Sequence, residues 1–181
     1  MPNDALATLV RLLKETDVPH MITGSFASTY HGVSRTTLDV DVVIDPTRFS
    51  LSRLLVLLAE NGFYVSEANA GVAFRARGQF NVIHMESVWK IDLIIRKNRP
   101  FSETEFRPRE PVTILGVDTF VTSAEDIILA KLEWAKASES SKQLRDIRGI
   151  IEIKGDTLDL AYIEKWAKAL GVYGTWSRLS R

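Results

Sequence analysis

The sequence predicts an α+β protein: a mixed β-sheet with flanking helices over residues 1–122, then a C-terminal helical bundle over 123–181. Three observations carry this. Residues 1–62 read as alternating helical and strand segments. Short apolar runs punctuated by glycine follow, as strands would be. After Thr122 the apolar residues recur only at helical spacing.

Taken in order, Asn3 is a helix-capping residue, and Leu6, Leu9, Val10, Leu12 and Leu13 form one apolar face to about Glu15. "VPHMIT" (18–23) is a short strand, and Ser25 to His31 is helical, with Gly32 as its stop. "LDVDVVI" (38–44) is a second strand. Asp45 followed by Pro46 reads as a cap and first turn for a helix running to Gly62. "FYVSEA", "VAFRA", "FNVIHM" and "VWKIDLIIR" read as β-prone runs, and "PVTILGVDTFVT" as a hairpin turning at Gly116. Ser123 with Asp126 three residues on approximates a capping box for "AEDIILAKLEWAKA". "SSKQLRDIRGIIEI" and "DLAYIEKWAKALG" are two further helices.

The chain has 181 residues, enough to bury a core without disulfides or metals. It has no cysteine, which excludes a disulfide framework, thiol catalysis and cysteine-ligated zinc, and points to a cytoplasmic protein. Lys plus Arg and Asp plus Glu are both 23, so no global basic charge argues for nucleic acid. Charges break every apolar run well before the ~18 residues of a membrane span.

Two aspartates in a strand that wants a core are the anomaly. Residues two apart on a strand share a face. Asp39 and Asp41 therefore point one way, and Val40, Val42 and Ile44 point the other way, into a core. "KIDLII" repeats the pattern, with Asp92 opposed to Ile91, Leu93 and Ile95. If the two strands are neighbours, three carboxylates gather on one face. They repel one another unless protonated or neutralised. Magnesium takes oxygen ligands and keeps places for water and phosphate, so the set suits a metal-assisted phosphoryl-type displacement. Upstream, "TGS" ends a strand, turns at Gly24 and opens a helix at Ser25. Backbone N–H groups at a helix start hold phosphate, and Gly24 lets it approach.

"GSFASTYHGVSRTTLDVDVVID", with the later "KIDLII", resembles the nucleotidyltransferase superfamily related to DNA polymerase beta. The detail "HGxxRxTxDxD" is similar to the minimal and abortive-infection toxin-type enzymes, as is "AEDIILAKLEWAKA…LRDIRGII". The resemblance implies a nucleotidyltransferase-like sheet domain and Mg²⁺ (or Mn²⁺). Gly24 and Ser25 would hold the β- and γ-phosphates of a nucleoside triphosphate. Asp39, Asp41 and Asp92 would be the metal ligands, with Asp92 also helping to deprotonate the attacking hydroxyl. Arg35, Thr36, Lys131 and Asp146 would complete the nucleotide site. The acceptor would be tRNA, a protein or a small molecule, and a cognate antitoxin would be a partner of a toxin–antitoxin pair.

Other residues read more plainly. His31, at a helix end, is expected to hydrogen-bond backbone. Arg35 would touch phosphate or pair with Asp45. "RKNRP" (96–100) is read as a solvated strand end or a contact to polyphosphate or an RNA acceptor, and Trp134 and Trp166 as core. Lys131 would face either the triphosphate or water. The competing reading of the whole chain is an inactive nucleotide- or partner-binding module with the same fold.

Overall fold

The computed structural model describes residues 2–32, 39–107, 109–138 and 140–180. Helix α1 (Pro2–Glu15) leads into β1 (His20–Thr23), α2 (Gly24–Tyr30), β2 (Val40–Ile44) and α3 (Arg48–Glu60). Then come β3 (Phe63–Val65), α4 (Glu67–Ala76), β4 (Gln79–His84), β5 (Trp89–Ile95), α5 (Pro100–Phe106), β6 (Glu110–Ile114) and β7 (Val117–Val121). Helices α6 (Ala124–Ser138), α7 (Ser141–Lys154), α8 (Leu160–Ala169) and α9 (Tyr173–Leu179) finish the chain.

Among the described residues, seven strands form one mixed sheet in the order β3-β4-β5-β2-β1-β7-β6. β2 runs antiparallel to β1 and parallel to β5, and β1 runs parallel to β7. One face of β2 and β5 presents Val40, Val42, Ile44, Ile91, Leu93 and Ile95, all fully or almost fully buried. Leu6, Leu9 and Leu13 of α1, Leu51, Leu54 and Leu58 of α3, and Ala70 and Ala73 of α4 pack with them in one apolar cluster. A second cluster joins Ala27 of α2, Phe101 of α5 and Val121 of β7 to the apolar faces of α6, α7, α8 and α9. The helical C-terminal part therefore shares a core with elements that precede residue 122. Each fully buried large apolar side chain in these clusters contributes roughly 1.5–3 kcal/mol.

Several local readings are corrected. Asp45 does not cap α3. Thr47 does, accepting from Ser50 N–H at 3.1 Å while Ser50 Oγ accepts from Thr47 N–H at 3.0 Å. Asp45 instead receives Arg96 at 2.8 Å, so an acid followed by proline serves as an ion-pair anchor here. "VAFRA" is not a strand but the end of α4. Ser66 caps that helix through Asn69 N–H, and the alanine content of "EANAGVAFRA" favours helix over the β-branched signal. Helices α5 and α9, each seven residues long, have too few turns for a periodic apolar signal. The hairpin at Gly116 forms as expected, with Leu115 and Gly116 both at positive φ (+52° and +77°), the left-handed pair a two-residue hairpin turn requires. Ser123 caps α6, its Oγ accepting from Asp126 N–H at 3.1 Å.

Candidate active site

The register of β2 and β5 sets Asp41 directly beside Asp92 on parallel neighbouring strands. Val43 and Ile94 are the next pair on the same face. Asp39 stands just before β2 and is exposed, where the sequence reading had put it inside the strand. Asp39, Asp41 and Asp92 all line one pocket of about 230 Å³, together with Thr23, Gly24 and Ser25. Helix α6 supplies Ile127, Ala130, Lys131 and Trp134, and α7 supplies Lys142 and Gln143. Arg35 and Thr36 lie outside the described residues, as does the proposed Arg35–Asp45 pair.

The electrostatics follow from packing three acids on a half-buried floor. Burial pushes the Asp41 carboxyl up to about 6, and the charges of Asp92 and Asp39 push the same way, while Lys131 and Lys90 oppose them. Lys90 Nζ lies 3.0 Å from Asp92 Oδ2. It sits two residues before Asp92 on β5, so the same alternation that located Asp92 would have located it.

Hard oxygen donors crowded enough to hold a proton fit a divalent cation better than no cation. Yet among the described residues no three acidic or imidazole side chains converge tightly enough to hold a metal ion by themselves. The donor set here is open, and phosphate and water oxygens would have to close it.

Gly24 opens α2 at φ +63°, and a Cβ there would overlap the Asp41 carboxylate. Glycine is thus required by conformation and by proximity. Thr23, at the N-cap, makes no side-chain cap hydrogen bond, and Ser28 Oγ donates to the Gly24 carbonyl at 2.9 Å, fastening the first turn. The short helix aims its N-terminal end at the carboxylate floor.

Lys131 lines the pocket from α6, as one of its two expected placements has it. It is 4% exposed, and its Nζ donates to Asp146 Oδ2 at 2.8 Å and to Gln143 Oε1 at 3.0 Å. A lysine with its head in water is excluded. Asp146, 5% exposed, stands behind Lys131 and does not line the pocket. Trp134 departs from expectation: it is 56% exposed at the pocket rim, while Trp166 is half-buried against Phe101 and Tyr162. Trp134 is three residues beyond Lys131, so both fall on one face of α6.

His31 behaves as expected, buried and bonded through Nε2 to the Thr122 carbonyl at 2.7 Å, with burial lowering its pKa. The "RKNRP" arginines are not merely solvated. Arg96 pairs with Asp45, and Arg99 forks onto Glu133 at 2.7 and 2.5 Å, tying the start of α5 to α6.

No protein-family model matches the chain, and no curated protein does. Solved structures do. The crystal structure of ANT(2'')-Ia in complex with adenylyl-2''-tobramycin superposes with a TM-score of 0.62 at 17% identity, over 93% of this chain and 96% of that chain. An antigenic nucleotidyltransferase-like protein from Paracoccidioides brasiliensis gives 0.58 at 18% identity, over 98% and 91%. The lincosamide antibiotic adenylyltransferase LnuA, lincomycin-bound, gives 0.56 at 11% identity, over 82% and 95%. The chain has the nucleotidyltransferase fold.

Proposed function

We propose that the protein is a nucleotidyltransferase that moves a nucleoside monophosphate from a nucleoside triphosphate to an acceptor hydroxyl. The observation that carries this is the Asp41–Asp92 pair at the floor of a pocket rimmed by Gly24, Ser25 and buried Lys131, within a nucleotidyltransferase fold. Residues 1–122 are the catalytic domain, and the helical region 123–181 supplies the wall that faces it.

In this reading Gly24 and Ser25 receive the β- and γ-phosphates, and Lys131, held by Asp146, sets a positive charge beside the triphosphate. Arg35 and Thr36 precede the acidic strand in sequence and belong to the same nucleotide site. Mg²⁺ (or Mn²⁺), when bound by Asp39, Asp41 and Asp92 with phosphate oxygens, supplies neutralisation of the triphosphate charge. Asp92 accepts the proton of the attacking hydroxyl, whose oxygen bonds to the α-phosphorus as pyrophosphate departs. Positioning and charge neutralisation do most of the work.

The acceptors in the compared structures make small molecules the first class to try, with tRNA and protein next. A role as the toxin of a toxin–antitoxin pair, acting in the cytoplasm with a cognate antitoxin, rests on the sequence resemblance alone. A second reading, a nucleotide- or partner-binding module without turnover, draws on the open donor set and on Lys90 against Asp92.

Incubation with α-labelled triphosphates, Mg²⁺ and either cell extract or defined acceptors decides between them. Label moving to an acceptor, and lost in Asp41→Asn, is the expected result. Nucleotide binding with no labelled product from any acceptor would leave the binding module as the better account.

A further inference from the structure

Helix α4 carries a charge pattern that nothing within the chain matches. Glu67, Gly71 and Arg75 are four residues apart, so they form one row along the helix, acid at one end, base at the other and glycine between. Glu67 and Arg75 are both exposed. Eight residues separate them by about 12 Å along the axis, too far for them to pair with each other. Among the described residues neither side chain makes an ion pair or a hydrogen bond elsewhere. An acid in the first turn and a base in the last suit the helix dipole, which accounts for the signs but not for the glycine between them.

Glycine weakens a helix interior relative to alanine. A Cβ built on Gly71 would meet Arg75 Nη1 at 3.5 Å, an ordinary contact with the tip of a flexible side chain. Packing inside the chain therefore does not demand a glycine here. Its effect is to leave the surface low. Beside it a groove of about 340 Å³ opens between α3 and α4, floored by Leu51, Leu55 and Phe74 and edged by Arg48. Large apolar side chains are exposed on the same two helices: Phe49 on α3 at 73% and Val72 on α4 at 56%.

We propose that this face pairs with a second copy of the chain, the two α4 helices crossing antiparallel at Gly71. A two-fold contact is self-complementary, each patch meeting its own copy. About an axis at Gly71, the residue four places after it faces the residue four places before it in the other copy. Arg75 therefore lies against Glu67 of the partner subunit, and Glu67 against the partner's Arg75. Rows of residues four apart are the ridges through which helices commonly pack, and the glycine lets the two backbones close. Each α4 then covers the groove of the other copy. A uniformly acidic helix from another protein would match Arg48 and Arg75 but oppose Glu67, whereas a second copy supplies both signs in the required order. Helices α3 and α4 pack on the apolar face of β2 and β5, opposite the carboxylates, so the pairing leaves the carboxylate pocket open and does not depend on the transferase reading.

Sedimentation of the full chain across micromolar concentrations reads the association. The wild type should form a dimer. Glu67→Arg leaves only bases in the row and Arg75→Glu only acids, so each variant should dissociate at least tenfold more readily. Glu67→Gln, which removes the pair without repulsion, should weaken it less. Mixed, the two charge-reversed variants should form a one-to-one heterodimer about as tight as the wild-type pair, because each then meets the opposite sign at both ends. Gly71→Leu should lose the dimer although leucine favours helix. Thermal melts establish that each variant is folded, as expected for exposed positions that take good helix formers. A wild type that stays monomeric throughout, a dimer indifferent to both charge reversals, or folded variants that fail to associate when mixed overturns the proposal. A dimer that survives Gly71→Leu overturns the crossing at Gly71.

Discussion

Gly24 and Asp41 are fitted so closely that a Cβ on the glycine would overlap the aspartate carboxylate, and the glycine φ of +63° is one that L side chains rarely adopt. The turn at Gly24 and the acidic strand are therefore a single packed unit. Gly24→Ala should shift Asp41, abolish triphosphate binding and destabilise the fold by on the order of 1–3 kcal/mol. Ser25→Ala should lower triphosphate affinity and leave the melting temperature nearly unchanged. Calorimetric binding with thermal melts on both variants checks this. An alanine at 24 that binds nucleotide normally would show the close fit to be unimportant.

Asp41→Asn should abolish transfer and stabilise the metal-free protein at pH 8. The sign follows from the raised carboxyl, about 6 against an ordinary 3.8. The folded state holds this proton more tightly than the unfolded state, so the ionised carboxylate is a destabilising element above pH 6. That element fades as pH falls toward 4. The gain from asparagine should be on the order of 1–3 kcal/mol at pH 8 and vanish near pH 4. Mg²⁺ with triphosphate should remove the wild-type deficit. Melts of both proteins across pH 4–8 supply the readout, and an asparagine variant that is less stable at pH 8 would mark Asp41 as a structural partner.

Lys131→Ala should weaken triphosphate binding about tenfold or more, since hydrogen bonds to charged groups contribute ~1.5–3 kcal/mol. It should also destabilise, because it removes the buried 2.8 Å contact between Lys131 and Asp146. Breaking a buried pair costs about 3–5 kcal/mol. The double variant Lys131→Met with Asp146→Leu removes both charges and should recover most of the stability but none of the affinity. Urea denaturation separates the two effects. If the single variant melts like the wild type, the 2.8 Å ion pair is not holding α6 to α7.

Trp134→Ala changes an exposed ring, so its effect on stability should stay within about 0.5 kcal/mol. Ligand affinity should fall several-fold, and the fluorescence response of the protein to ligand should shrink. Unchanged affinity and unchanged quenching would return Trp134 to the ordinary surface.

Much of the site was legible because strand alternation is a local rule. Asp39, Asp41 and Asp92 stand out as carboxylates on the polar side of runs whose other side is apolar, and Gly24-Ser25 stands out as a strand-to-helix turn. The sheet then sets Asp41 beside Asp92, the condition on which the acidic cluster depended. Lys90 was equally legible by the same rule, two residues from Asp92.

What only the tertiary structure decided depends on what each side chain meets. Lys131 and Trp134 lie on one helix with one periodicity, yet the lysine is buried and the tryptophan exposed, because α7 brings Gln143 and Asp146 over the lysine and, among the described residues, nothing comparable covers the ring. Asp45 looked like a helix cap until Arg96, 51 residues away, arrived beside it. The groove beside Gly71 exists only where α3 and α4 come together. The sequence by itself determined the acidic strands and the strand-to-helix turn at Gly24, since both follow from the geometry of a few consecutive residues. The partners of the cations, the exposure of the indole and the groove beside Gly71 come from contacts between separate segments, which only the packed fold fixes.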